Sequence, residues 1–571
     1  MSRHPYNLGK YRRKVLTSSP QAQTWFDFGL GWTYGFNPEE AVRCFQRAAE
    51  LDPNFAMAYW GIAYASGPNY NKAWTRFDQA DLVSTVSLAQ AALERAFQIT
   101  GGATLVEQAL ISALRVRFPT GEVSQQQAPD FHVLNCAYAE AMRGVYLNYS
   151  TDLDVAALFA DALLCVRPRA LWDVDSGEPT GYGTIEARKV LEDAMAQPHA
   201  DDHPALPHLY VHLMEMSPFP EIASGAADRL RRLAPDASHL AHMATHIDAA
   251  RGDWARVIDS NNDAIAADEN YFARESGSPV GWYDLYRAHN LNAKAYGSMM
   301  AGRLQEAMRS AARLNHLITP ELLRVASPPM ADWAEAYLTV LPHVLVRFGR
   351  WIEILQLQLP ADQLLFCSTT AMTWYARGIA CAALGSLSEA EAARSNFAVA
   401  RETVPPSRMA SIPVLEMDVL AVAAAMLDGE IYYRRGRFEE AFASLRRAIE
   451  LEDALPYADP PAWLQPVRHA YGALLTEQGR LDEAVATYRA DLGLDGSLAR
   501  RRTRPNNVWS LQGLHECLTR LGRHNEVAQI AAERDTAMTF ADVHIGVSCY
   551  CRQSAFPESH QIRPKNGPSG A

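Results

Sequence analysis

The sequence predicts an all-α protein, a right-handed α-solenoid built from repeated helix pairs. Three observations carry this expectation. Between Trp25 and Pro53, Trp25-x2-Phe28-Gly29-x2-Trp32 is followed by Ala41-x3-Phe45-x2-Ala48, two apolar stripes at helical spacing with a turn between them. A Gly-Arg or Gly-Asp pair recurs at Gly252, Gly302, Gly349, Gly436, Gly479 and Gly522, with Gly385-Ser386 as a variant, at intervals of 36 to 51 residues. The apolar fraction is 48%, enough for a continuous core rather than a disordered chain.

Residues 1–24 read as an N-terminal arm, followed by an N-terminal helical part over 25–200. In its first unit a small residue, Gly29, lets the second helix approach the first. Ala41, Phe45 and Ala48 form the buried face of that second helix, and Pro53 stops it. These offsets resemble the tetratricopeptide (TPR) repeat, with aromatic replacements at two positions. Turn-rich stretches at 119–131 (PTGEVSQQQAPDF) and 172–182 (WDVDSGEPTGY) predict loops, and 217–223 and 327–329 predict further stops. A His-rich central part spans 201–350 and further TPR-like repeats span 351–540. The best later copies place a glycine seven residues before the turn glycine and an alanine five after it: Gly378/Gly385/Ala390, Gly429/Gly436/Ala441 and Gly472/Gly479/Ala484. Intervals longer than the usual repeat predict longer helices or insertions within one continuous solenoid. Residues 541–571 read as an extended tail carrying Cys549 and Cys551, disordered after about 553.

The net charge of −12 and a sequence pI near 5.8 argue against a nucleic-acid partner, because the one dense basic run, Leu498 to Arg504, is short. No secretory leader and no transmembrane stretch is expected. Six cysteines are scattered through helical patterns, which suits a reducing, cytoplasmic setting.

Seven of the 17 histidines fall between His203 and His289. His208 and His212 stand four apart with Glu215 seven after the first, and His239, His242 and His246 follow at spacings of three and four. Such spacings put side chains on one helical face. Two stripes facing each other, with His289 on a third helix, predict a metal centre, since imidazole is the commonest metal ligand near neutral pH. The plain alternative is buried histidines hydrogen-bonded to backbone or carboxylates. The expected ligands are His208, His212, His239, His242, His246 and His289. Glu215 is a ligand, an orienting group or a general base, and His203 and His343 are peripheral. Nearby thiolates are absent, which excludes a four-cysteine zinc site and leaves one or two ions of iron, copper, zinc or manganese. The HExxH glutamate is missing, so a zincin-type protease is not expected. The phosphate-binding and nucleophile-elbow signatures are missing as well.

Three other features carry weaker signals. The run 59–74 (YWGIAYASGPNYNKAW) predicts a capped turn, or else a polar wall facing the histidines. Asp161, in an apolar helix, is expected to be exposed or to pair with Lys72, Arg167 or a histidine. Residues 541–551 alternate like a strand and end in the Cys549-x-Cys551 pair, which reads as packed tail on the last helix or as a redox or metal pair.

Taken together, residues 36–71, 203–217, 239–247, 288–290, 346–351 and 509–518 resemble a bacterial and fungal group of TPR proteins with a His-rich block. That resemblance implies the solenoid fold and, for the fungal members, an accessory place in secondary metabolism. The expected function is a metal-dependent enzyme acting on a small organic substrate in the solenoid's interior. The alternative is a non-catalytic scaffold holding a peptide or protein in its concave groove.

Overall fold

A computed structural model describes residues 4–121, 123, 129–275 and 280–552 of the chain. The expectation of a disordered tail after 553, and residues 122 and 124–128 of the predicted loop between 119 and 131, lie outside the described residues. The chain is an all-α helical-repeat solenoid, 68% helical. Among the described residues its only strands are the short antiparallel pair Met409–Ser411 and Val414–Leu415. The first helix runs from Pro20 to Tyr34, five residues earlier than the aromatic pattern marks, because Ser19 caps it and Pro20 suits the first turn.

Each turn glycine identified in the sequence adopts a left-handed backbone. At Gly252, which ends helix Ser238–Arg251 with φ 76°, the amide of Asp253 bonds back to the Asp248 carbonyl at 2.9 Å. The same six-residue closure recurs at Gly302, where Arg303 N–H reaches Ser298 O at 2.8 Å, and at the later turns. The glycines inside the first helices serve close approach. A Cβ on Gly378 would lie 2.6 Å from Leu427, on Gly429 2.8 Å from Leu445, and on Gly472 2.5 Å from Tyr488.

The turn glycines are not equivalent. A Cβ at Gly252 would meet the Pro505 carbonyl oxygen at 2.2 Å, whereas at Gly436 it would meet open space. Gly436→Ala is therefore expected to lose only the backbone term, about 1–2 kcal/mol, and Gly252→Ala distinctly more. Urea midpoints of the two variants measure the difference, and equal losses would contradict the packing.

The core is organised in two apolar clusters. One runs from Tyr6 to Phe348 and takes in Leu464, Val508, Trp509 and Ile545; the other spans Leu345 to Cys551. Contacts distant in sequence bring later segments back to earlier parts of the chain. Trp509 Nε1 donates to Met299 O (2.6 Å), Trp254 Nε1 to Pro505 O (3.0 Å) and Gln465 Nε2 to His343 O (2.8 Å). Loops 454–466 and 499–507 thus fold back onto the His-rich repeats.

The basic run at 498–504 turns out to be part of this interior. Arg504 is buried against Glu452 (2.6 Å) and Asp491 (3.2 Å), and Arg502 reaches Asp175 (2.8 Å). Two further expectations are corrected. Asp161 is buried, and it accepts from Tyr64 Oη (2.7 Å) with Arg117 at 3.7 Å, not from Lys72, Arg167 or a histidine. Residues 541–552 form no strand. They lie across several repeats instead of on the last helix alone: Asp542 N bonds Gly302 O, Ser548 Oγ donates to His469 O, and Arg434 donates to Cys551 O.

Glu416, 1% exposed, begins the helix after the short hairpin with its Oε1 unpartnered. Burial and the neighbouring Glu335 push its carboxyl up to about 8, against the pull of Arg408. Between the unfolded value of 4.5 and about 8, the folded state keeps a proton that the unfolded chain releases. Stability therefore falls as pH rises through that window, by at most about 1.4 kcal/mol per unit. Glu416→Gln is expected to flatten this slope in urea titrations across the same window; an unchanged slope would place the dependence elsewhere.

Candidate metal centre

The histidines converge as the spacing implies. His208 and His212 lie on helix Ala205–Met214, His239, His242 and His246 on helix Ser238–Arg251, and His289 on helix Tyr283–Met300. Glu215 is the residue just past the first of these helices. The last two helices are the leading members of successive pairs, followed by Trp254–Arg274 and Leu304–Leu317. The ligand atoms form two triads, His208/His212/His239 and His242/His246/His289, each with all three atoms within 4.8 Å of one another. Every member is buried except His289, which is half-buried.

Hydrogen bonds on the outer nitrogens decide what the inner nitrogens carry. His208 Nδ1 faces the Tyr34 carbonyl at 2.7 Å, and a carbonyl only accepts, so Nδ1 holds the proton and Nε2 a lone pair. His212 Nδ1 donates to Glu215 Oε1 at 3.0 Å, with the same result. Both Nε2 atoms are buried and have no partner. In the second triad, Asn261 Nδ2 donates to Val257 O (2.8 Å), which turns Asn261 Oδ1 toward His242 Nδ1 at 2.9 Å. His242 Nε2 is thereby a lone pair, and it meets His246 Nε2 at 3.1 Å and His289 Nε2 at 2.9 Å. His246 Nδ1 donates to Glu215 Oε2 and lies 3.3 Å from Asp459.

His239 differs from the others. Asn71 Oδ1 is taken by Arg169 Nη2 (2.8 Å), so Asn71 Nδ2 faces His239 Nε2 at 3.4 Å, while His239 Nδ1 is unpartnered. Its use as a ligand requires the Asn71 amide to turn. Run 59–74 therefore fulfils both of its readings. Asn69 Oδ1 caps a turn by accepting from the amides of Asn71 and Lys72, and Asn71 and Tyr70 wall the histidines, with the Tyr70 ring 4.4 Å from His212.

The electrostatics follow from burial. Desolvation holds His208, His239 and His289 well below the usual imidazole range, and brings His212 to about 4 and His242 to about 3. Burial would also lower His246, but Glu215 and Asp459 outweigh it and raise this group. Burial raises Asp459 against the pull of His246 and Arg501. His208, His212 and His242 are neutral and each carries its lone pair on Nε2, the form in which an imidazole binds a metal.

Glu215 spans the two triads with one oxygen on each, and Tyr457 Oη also donates to its Oε2 (3.1 Å). Of the roles open to it from sequence, these contacts correspond to the orienting one. Beside His208, a cavity of about 30 Å³ lined by Tyr34, Phe36, Tyr64, Gly67, Asn69 and Asp161 has room for about one water.

His203 and His343 lie apart from the triads. His203 Nε2 lies 3.3 Å from Asp154, and His343 packs edge-on against Trp463. Both are peripheral to the triads, and His343 faces Trp463 from a later loop. The sequence reasoning missed Asn261, Tyr457, Asp459 and Arg501. Tyr457 and Asp459 sit in a proline-rich loop more than 200 residues from Glu215 and His246, and no spacing rule reaches that far.

Residues 428–454 match the tetratricopeptide-repeat family. No curated protein matches the chain. Among solved structures the chain is similar to yeast Tom70, at 11% identity and a TM-score of 0.32 over 89% of this chain and 90% of that one. It is also similar to a monomeric IFIT1 mutant solved with Gppp-AAAA, at 11% identity and a TM-score of 0.32 over 90% of this chain and 96% of that one. The Naa15/Naa10 complex bound to HypK-THB gives 10% identity and a TM-score of 0.20 over 91% of this chain and 70% of that one. No helix among the described residues is long and apolar enough to cross a membrane. A tetratricopeptide repeat at 428–454 thus lies within the all-α helical-repeat solenoid.

Proposed function

We propose that this solenoid holds one or two transition-metal ions, iron, copper or zinc, on His208, His212, His242, His246 and His289, with His239 as a conditional sixth ligand, and is a metal-dependent enzyme for a small organic substrate. The observation that carries the reading is the set of forced tautomers. Three rings, His208, His212 and His242, are fixed from behind by Tyr34, Glu215 and Asn261, and their Nε2 lone pairs have no hydrogen to accept or only another imidazole to meet. An unpartnered buried acceptor is unfavourable by about 1–3 kcal/mol, and a cation removes that penalty at several atoms together. The carboxylate or carbonyl behind each ring is the usual outer support of a metal-bound imidazole.

Three imidazoles per ion leave coordination positions free, the arrangement of catalytic rather than structural sites. The repeats bury their own core, so the fold has no need of an ion. A bound ion would polarise a substrate oxygen or activate water or oxygen. Within the chain, Glu215 and Asn261 orient the rings, and Tyr70 and Phe36 exclude water by packing against His212.

The second reading, a non-catalytic interaction scaffold, is favoured by the repeat match itself. Against a peptide lying across the histidines stands the presence of Tyr457 and Asp459 over Glu215 and His246. Dialysis of untagged protein against iron, copper, zinc and manganese in turn tests the proposal. Uptake of one or two equivalents of at least one metal is expected, and protein that stays metal-free against all four overturns it. A chelator is then expected to strip the metal with only a few degrees' loss of Tm; collapse of the fold on chelation would move the site to a structural role.

A further inference from the structure

Outside the histidine centre, Cys549 and Cys551 line a common cavity. A turn brings them together. The Arg552 amide bonds back to Cys549 O (3.2 Å), and the Cys551 amide donates to Cys549 Sγ (3.3 Å). The turn is held on both sides. Ser548 Oγ donates to His469 O (3.0 Å) and accepts from Tyr488 Oη (2.6 Å), and Arg552 pairs with Glu516 (2.7 Å). Cys551 is buried and Cys549 half-buried.

The cavity, about 30 Å³, is lined by the two cysteines together with Arg347, Tyr375, Glu430 and His469. It has space for one small polar molecule. The groups left free in its wall are donors. Tyr375 is fully buried and its hydroxyl has no partner, and neither has the buried Arg347 Nε. This guanidinium is fixed beside the turn: Nη2 donates to Ser548 O (2.6 Å) and Nη1 to His469 Nδ1 (2.8 Å). Its carbon lies 4.0 Å over the Trp509 ring. Glu430, the carboxylate in the wall, is engaged by Arg434 at 2.8 Å.

A guanidinium and a phenol proton are poor company for a metal cation, which seeks acceptors. They suit a reaction in which an oxygen leaves with negative charge. The two sulfurs also differ. A hydrogen bond from the Cys551 thiol lowers Cys549 against burial, with help from Arg347, whereas burial raises Cys551 well above the usual thiol range. One sulfur is a nucleophile and its neighbour holds a proton, the pairing that lets a thiol be oxidised and then capped by a second thiol.

We infer that Cys549 and Cys551 are a modification site for hydrogen peroxide, which enters this cavity and converts the two thiols to a disulfide. The Cys549 sulfur attacks one peroxide oxygen and the O–O bond breaks. The departing hydroxide takes the proton that Cys549 gave up and leaves as water, and Cys549 is then a sulfenic acid. The Cys551 sulfur attacks it; an S–S bond forms as the S–O bond breaks. The second hydroxide leaves as water with the Cys551 proton. The pair of thiols loses two electrons and two protons, and one peroxide is reduced to two waters. Arg347 Nε and the Tyr375 hydroxyl are the donors available to the departing oxygen. The site is separate from the metal reading and does not depend on it.

The test treats reduced, chelator-washed full-length protein with one equivalent of hydrogen peroxide, beside the synthetic peptide Asp535–Arg552. Trypsin releases the same peptide, with both cysteines, from the chain. In the protein this peptide is expected to lose two hydrogens, reversibly with dithiothreitol. The reaction is expected to run about tenfold or more faster than in the free peptide, since an ordinary thiol is only a few per cent thiolate at neutral pH. Cys551→Ser is expected to stop at a sulfenic acid that dimedone traps on Cys549. Arg347→Gln and Tyr375→Phe are each expected to slow the reaction by about threefold or more. Tyr375→Phe removes only the buried hydroxyl and decides the matter where Arg347→Gln does not fold. Oxidation no faster than in the free peptide, no dimedone adduct in Cys551→Ser, or a wild-type rate in every folded wall variant overturns the inference. So does zinc or copper held by the two thiols in place of any reaction with peroxide. Failure of the histidines to take up metal leaves each of these outcomes unchanged and removes only the metal reading.

Discussion

Glu215→Gln is expected to weaken metal binding at both triads by about 10–100-fold, although Glu215 need not touch an ion. Its Oε1 receives the His212 proton and its Oε2 the His246 proton, so this one carboxylate fixes a ring in each triad. A glutamine offers one acceptor oxygen and one amide donor. One of the two histidines must then turn, or move its proton to Nε2 and lose the inward lone pair. His242→Ala acts more severely on its own triad, because His242 Nε2 is the atom met by both His246 and His289. It is expected to remove the ion there and leave any ion at His208 and His212. Chelator competition on the refolded variants measures both effects; wild-type affinity in Glu215→Gln would show that the rings orient themselves. His239→Ala is expected to change affinity least, since Asn71 already occupies its Nε2.

Asp491→Ala is expected to destabilise the protein by about 3–5 kcal/mol, the largest loss of any single change away from the histidines. Asp491 is fully buried, and its carboxylate accepts from His469 Nε2 (2.9 Å), Asn507 Nδ2 (2.9 Å), Ser510 Oγ (2.7 Å) and Arg504 Nη1 (3.2 Å). Burial opposes its charge, but His469, Arg504 and Ser510 outweigh burial and hold the carboxyl well below its usual range. The stability from that shift is present above the unfolded value of 3.8 and is lost as the pH falls through the lower folded one. Alanine leaves His469 and one side of Arg504 unpaired, whereas Asp491→Asn keeps part of the network and is expected to lose less. Urea midpoints rank the three proteins, and a loss below about 1 kcal/mol in Asp491→Ala would mean that water replaces the carboxylate.

The repeat architecture was legible because its signals are local. The left-handed turn at Gly252 and the close approach at Gly472 each depend on a glycine at a fixed offset within one helix pair, and such offsets are visible in the chain. The grouping of histidines was legible for the same reason, since spacings of three and four fix a face. What the spacing left open was which nitrogen faces inward, because that is decided by Tyr34 and Asn261 on other helices. Spacing likewise says nothing about Trp463, which packs against His343 from a later loop. The placement of residues 498–504 was not legible either. A basic run reads as a charged surface, yet Arg504 is 7% exposed, for its acidic partners Glu452 and Asp491 come from other repeats.

The most direct test of the metal centre is X-ray absorption at the metal edge of untagged protein loaded with one equivalent of copper, beside His242→Ala and His208→Ala prepared alike. The account predicts a first shell of nitrogen with the outer-shell scattering of at least two imidazoles, diminished in one variant or the other. An oxygen-dominated shell, or an imidazole shell unchanged in both variants, would contradict it.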